Sequence, residues 1–113
     1  MRILKKYIKV LVTGAGGPAG INVIKLLKRE EYYIISTDIN PYSEGFVLSD
    51  KYYIINPANE REKFIEDLER IIENEKIDLV IPTVDEEIEV LANNEIKYKE
   101  KIVIHPKETV NIC

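Results

Sequence analysis

The sequence predicts an open α/β sheet, largely parallel, of about five strands with helices on both faces. Three observations carry this. Short β-rich apolar runs alternate with longer stretches of helical periodicity, the pattern of βαβ units. The strands read as near-continuous apolar runs, as strands covered on both faces do. The first of them, Val10-Leu11-Val12, passes straight into a glycine-rich turn and then an apolar helical stretch, Ile21-Asn22-Val23-Ile24-Lys25-Leu26-Leu27.

Taken in order, Ile8 to Val12 is the first strand. Pro18 opens the helix behind the turn, where its missing N–H costs little. That helix runs to about Glu30, with Ile21, Ile24 and Leu27 on one face. Tyr32 to Asp38 is a second strand ending in a carboxylate. Asn40 to Gly45 is a turn cluster, and Phe46 to Leu48 forms a short helical or irregular patch. A third strand holds Tyr52 to Ile55. Asn59 is the expected N-cap of the next helix, whose Phe64, Ile65, Leu68, Ile71 and Ile72 make one apolar stripe. Ile77 to Ile81 is a fourth strand, closed by Pro82. Thr83 or Asp85 then caps a helix carrying Ile88, Val90 and Leu91. Lys101 to Ile104 is the fifth strand, and His105 to Val110 begins a further helix. With right-handed crossovers as the default, this order gives a doubly wound sheet.

Composition narrows the function. A length of 113 residues makes one domain over 1–113 the natural expectation. The formal net charge of -4 gives no basic face for nucleic acid. The single Cys113 excludes an internal disulfide and a cysteine metal cluster, and the single His105 leaves little for imidazole chemistry. No apolar run is long enough to span a bilayer, and the charged start, Met1 to Lys6, does not read as a signal peptide. A cytoplasmic protein fits these features.

In a doubly wound sheet, ligands bind beyond the carboxyl ends of the strands. Three groups map to that edge. The first is the glycine turn, where Gly14, Gly16, Gly17 and Gly20 account for four of the five glycines. Such a turn at a helix N-terminus lets backbone N–H groups approach a phosphate closely. The second is Asp38 with Asn40. The third is Thr83 with Asp85, Glu86 and Glu87. Thr13 to Gly20 contains a T-G-x-x-G-x-x-G pattern, and Asp38 lies 18 residues past Gly20, where a ribose-binding carboxylate falls in a dinucleotide site. The same glycines equally serve tight strand–helix packing, with Asp38 capping a turn. The acidic run Asp85-Glu86-Glu87 suits a magnesium ion or a substrate amine, or simply complements a helix dipole. His105 reads as a strand-end residue, and Tyr32, Tyr33, Tyr52 and Tyr53 as ordinary strand residues.

Four segments recur in an order that resembles a known family: Val10 to Gly20, Thr37-Asp38-Ile39-Asn40-Pro41, Leu48 to Tyr53, and Ile77 to Glu87. They look like the N-terminal pre-ATP-grasp domain of ATP-grasp ligases, of the carbamoyl-phosphate-synthase large-subunit-like group. The resemblance implies a Rossmann-like domain that precedes a separate ATP-grasp module. The complete enzymes activate a carboxylate as an acyl phosphate with Mg-ATP and join it to an amine. The nucleotide and metal ligands belong mainly to the later module, which this sequence lacks. No catalytic residue, metal ligand or cofactor is therefore expected of this domain alone. Gly14, Gly16, Gly17, Gly20, Asp38, Asn40, Thr83, Asp85 and Glu87 are expected along the substrate cleft. The implied partners are an ATP-grasp module, in cis or as a separate subunit, and a small-molecule carboxylate or amine; a homodimer is also compatible. The rival reading is an NAD(P)-binding domain of an oxidoreductase, although the sequence offers no Tyr-x-x-x-Lys pair.

Overall fold

Residues 7–104 are described by a computed structural model. Strands β1 (Lys9–Thr13), β2 (Tyr33–Asp38), β3 (Lys51–Ile54) and β4 (Leu79–Ile81) form one sheet in the order β3-β2-β1-β4. All three pairings are parallel, with Thr13 opposite Thr37 and Val12 opposite both Ser36 and Ile81. Among the described residues four α-helices connect or follow the strands: α1 (Pro18–Arg29), α2 (Gly45–Leu48), α3 (Arg61–Glu75) and α4 (Asp85–Asn93).

Alternation along the strands splits the core in two. Val10, Val12 and Ile34 turn to one face and pack with Ala15, Ile24 of α1 and Phe46 of α2. Leu11, Ile35 and Val80 turn to the other and pack with Phe64, Leu68, Ile71 and Ile72 of α3 and Leu91 of α4. The period of two in the strands thus feeds two helical layers, as the apolar runs predict. At the amino ends of the strands, two aspartates fasten neighbours: Asp50 accepts the Ile34 N–H at 2.8 Å and Asp78 the Lys9 N–H at 2.9 Å.

The expected fifth strand is reduced to one parallel bridge, Val80 to Ile102, with the Val103 N–H on the Val80 carbonyl. A 3₁₀ turn over Lys99–Lys101 takes up the first residue of the expected strand. The fourth strand begins at Leu79 rather than Ile77 because Lys76 closes α3 in the left-handed region (φ 56°) and the Ile77 N–H bonds back to Ile72. Neither proposed side-chain cap forms. Glu60, not Asn59, is the N-cap of α3, and Val84 stands at the N-cap of α4, each without a side-chain hydrogen bond. The helix expected from His105 lies outside the described residues.

β3 is the sheet edge, and α2, a single turn, covers only part of it. Phe46 stacks on Tyr52 with ring centroids 4.2 Å apart, while Val47, Tyr52 and Ile54 stay exposed. Among the described residues no helix is long and apolar enough to cross a membrane.

Candidate functional site

The strand order reverses between β1 and β4, so the crevice of this sheet lies at their carboxyl ends. The glycine turn follows β1, and Thr83 to Glu87 follow β4. The two walls touch. Gly14 adopts φ +70°, and a Cβ there would fall 2.5 Å from Val84 Cγ2 and 2.6 Å from Thr83 Oγ1. Thr83 closes the seam from its side: its hydroxyl donates to the Thr13 carbonyl at 2.7 Å, and its N–H donates to the Thr13 hydroxyl at 3.2 Å. That engagement explains why Thr83 does not cap α4. Gly20 on α1 lies against the Gly14 carbonyl, which a Cβ would overlap, so helix and strand meet backbone to backbone. Gly17 has no such crowding; its N–H donates to the Gly14 carbonyl at 3.1 Å.

Asp38, at the end of β2, turns into the glycine loop. Its Oδ2 accepts the Gly16 N–H at 2.9 Å, and its Oδ1 accepts the Ile39 N–H at 2.9 Å. Gly16 must be glycine for this, since a Cβ would sit 2.5 Å from Asp38 Oδ2 and 3.0 Å from Ser43 Oγ. A backbone donor of the turn is thereby taken by the protein's own carboxylate. Asn40 makes an Asx turn, its Oδ1 accepting the Tyr42 N–H at 2.9 Å.

The three acidic residues occupy the first turn of α4, complementing its dipole. Two of them, Asp85 and Glu86, are exposed, whereas Glu87 turns inward and is only 4% exposed. Its Oε1 has no hydrogen-bond partner, and neither have the buried Thr37 Oγ1 and Ser43 Oγ. Burial pushes the Glu87 carboxyl up to about 7; the Thr13 hydroxyl pulls against this, while the charges of Asp38 and Glu86 add to it. Among the described residues no salt bridge pairs with Glu87, and no group of His, Cys, Asp or Glu is arranged to hold a metal ion. A buried carboxyl with an open acceptor, flanked only by like charge and hydroxyls, suits a group that brings positive charge and N–H donors.

The structure thus brings Gly14, Gly16, Gly20, Asp38, Thr83 and Glu87 to one crevice edge, with Asp85 on its solvent side and Asn40 in the loop beyond Asp38. Sequence reasoning passed over Thr13, Thr37 and Ser43. Thr13 carries a readable signal: it is a polar residue that closes the apolar run of β1, and Thr37 stands opposite it in β2.

The family profile described as "PylC-like, N-terminal domain" matches residues 10–105, most of the chain. The chain belongs to this family. PylC-like N-terminal domains are pre-ATP-grasp domains of ATP-grasp ligases, in agreement with the resemblance drawn from the ordered motifs. No curated protein matches the chain significantly.

Solved structures agree with the PylC-like domain in fold. N5-carboxyaminoimidazole ribonucleotide synthetase from Thermotoga maritima superposes with a TM-score of 0.56 at 20% identity, over 93% of this chain and 27% of that one. dTDP-glucose 4,6-dehydratase from Bacillus anthracis, in complex with NAD, gives 0.53 at 23% identity, over 86% and 36%. A short chain dehydrogenase from Leptospira borgpetersenii with bound NAD+ gives 0.50 at 21% identity, over 76% and 41%. The PylC-like chain spans well under half the length of each of these proteins.

Proposed function

We propose that the crevice edge is the substrate-side wall of a carboxylate–amine ligase and that its own residues receive the amine. The observation that carries this is the sign of the edge. Asp38, Asp85, Glu86 and Glu87 gather there, and Glu87 presents a buried, unpartnered oxygen. An ammonium group gains a charge-assisted hydrogen bond from such an oxygen, whereas a phosphate or carboxylate meets repulsion.

In this reading the chain acts as one pre-ATP-grasp domain and binds no cofactor by itself. An ATP-grasp module, in cis or as a separate subunit, supplies activation of the carboxylate with Mg-ATP. The residues of this domain do the remaining work. Gly14 and Gly20 hold β1, α1 and the Thr83 wall in contact, fixing the width of the crevice. Thr13 orients Glu87, and Glu87 orients the amine nitrogen. The ordered motifs support a place near the carbamoyl-phosphate-synthase-like ligases, and the composition suits a cytoplasmic location.

The test is titration of the purified chain, followed by amide NMR, with primary amines, with simple carboxylates and with NADH and NADPH. Amines shifting the residues around Gly16 and Glu87, with both nucleotides silent, is the expected result. Tight binding of either nucleotide overturns the ligase reading in favour of an oxidoreductase domain. One observation favours that second reading: a glycine turn followed by a strand-end carboxylate is also the dinucleotide arrangement. Against it stands the engagement of Asp38 with the Gly16 N–H, which fills the turn from inside.

A further inference from the structure

Building on the amine-side reading, we infer that Glu87 is a proton-exchanging element: it carries a proton while the crevice is empty and gives it to solvent when a primary ammonium docks against its free oxygen. The geometry sets up the exchange. Glu87 is 4% exposed, and Thr37, which stands opposite Thr13 across the β1–β2 pairing, is fully buried. Both have a polar atom without a partner, and the Thr13 hydroxyl acts on Glu87 in the direction that favours its ionised form. The groups acting on the carboxyl are Thr13 from β1, Asp38 from β2 and Glu86 from its own helix; no cation is among them. An empty site therefore favours the neutral acid, and burial together with these charges sets its titration at about 7.

Docking of a cation reverses the balance, because an opposite charge within a few ångströms favours the ionised carboxylate. The step is an acid dissociation coupled to binding. Glu87–COOH plus R–NH₃⁺ gives the ion pair Glu87–COO⁻···⁺H₃N–R plus one proton, which passes to the buffer; nothing is oxidised or reduced. With the carboxyl titrating at about 7, uptake releases close to one proton per site near pH 6 as long as the ion pair stays ionised, about half a proton at pH 7 and almost none above about pH 8.5. Between about pH 7 and the midpoint of the ion-paired carboxyl, apparent affinity for the ammonium falls about tenfold for each pH unit.

The experiment follows the ¹³Cδ resonance of Glu87 from pH 4 to 9 in the full chain, assigned by its disappearance in Glu87→Gln. Three media are compared, each with 0.1 M of sodium, methylammonium or tetramethylammonium chloride. The expected midpoint is near 7 in sodium and in tetramethylammonium, which has no N–H, and at least one unit lower in methylammonium. In Thr13→Val the sodium midpoint moves higher still, because the lowering influence of the Thr13 hydroxyl is gone. A sodium midpoint in the ordinary carboxylate range overturns the inference. So does a midpoint near 7 that methylammonium leaves in place while it shifts the Gly16 and Glu87 amides; the edge then binds amines without exchanging a proton, and only the inference fails. If methylammonium moves neither the midpoint nor the amides, the amine-side reading fails with it.

Discussion

Replacing Glu87 by glutamine converts the buried carboxyl into a neutral amide of the same size, and its effect on stability depends on pH in a way that can be worked out. The carboxyl moves from 4.5 to about 7 on folding, which at about 1.4 kcal/mol per unit amounts to roughly 3.5 kcal/mol. Relaxation around the ionised form trims this, so a range of about 2–3 kcal/mol is the working figure. Between pH 4.5 and 7 the folded state holds a proton that the unfolded state has lost. The wild-type chain therefore loses stability as pH rises through that window and levels off above about pH 8. Glutamine has no proton to lose. Urea unfolding followed by circular dichroism, at unit steps from pH 4 to 9, should show the two proteins within about 0.5 kcal/mol of each other at pH 4 and the variant about 2–3 kcal/mol more stable at pH 8. Contributions from groups remote from Glu87 are common to both proteins and cancel in the difference. A difference that does not change with pH, or one that turns against the variant above pH 7, refutes the burial argument for Glu87.

The glycines of the turn should separate sharply. Gly20→Ala sets a Cβ into the Gly14 carbonyl and should cost more than about 3 kcal/mol in chemical denaturation, whereas Gly17→Ala, 3.8 Å from the same oxygen, should stay within about 1 kcal/mol of wild type. Asp38→Ala frees the Gly16 N–H; millimolar sulfate should then shift the Gly16 and Gly17 amide resonances of the variant and leave those of the wild type in place. Asp67, on α3, is pushed up by burial, but the Asn56 N–H, the Arg70 guanidinium and the Asn56 side-chain amide outweigh this and hold it below its ordinary value. Asp67→Ala should thus cost about 2–4 kcal/mol at pH 7, with the penalty shrinking as pH falls below the ordinary carboxylate range, where the unfolded chain takes up a proton before the folded one does.

What the sequence disclosed follows the range of the forces involved. The strand–turn–helix at Val10 to Leu27, the order of elements and the helical layer on each face are written in local periodicity and in the four clustered glycines. The position of Asp38 at a strand end was legible too. Its engagement was not, because the Gly16 N–H lies 22 positions away in the chain. The missing cap on α4 has the same origin: Thr83 spends its hydroxyl on Thr13, 70 positions upstream. Lys101 to Ile104 is apolar enough for a strand, yet the 3₁₀ turn takes in Lys101, and among the described residues only Ile102 bridges to β4. Glu87 was legible as part of an acidic helix start. Its burial was signalled only indirectly: Glu87 stands one helical turn before Leu91, on the same inward face, whereas Asp85 and Glu86 do not.

The Asp38 contact has a consequence for anything that approaches the turn from outside. A carboxylate fixed to the end of β2 is a tethered competitor, present at the Gly16 N–H at an effective concentration of millimolar or more without any loss of translational freedom. Phosphate, sulfate and nucleotide in solution must displace it and also overcome its charge. The chain thus retains a backbone shape suited to anions while carrying its own resident anion.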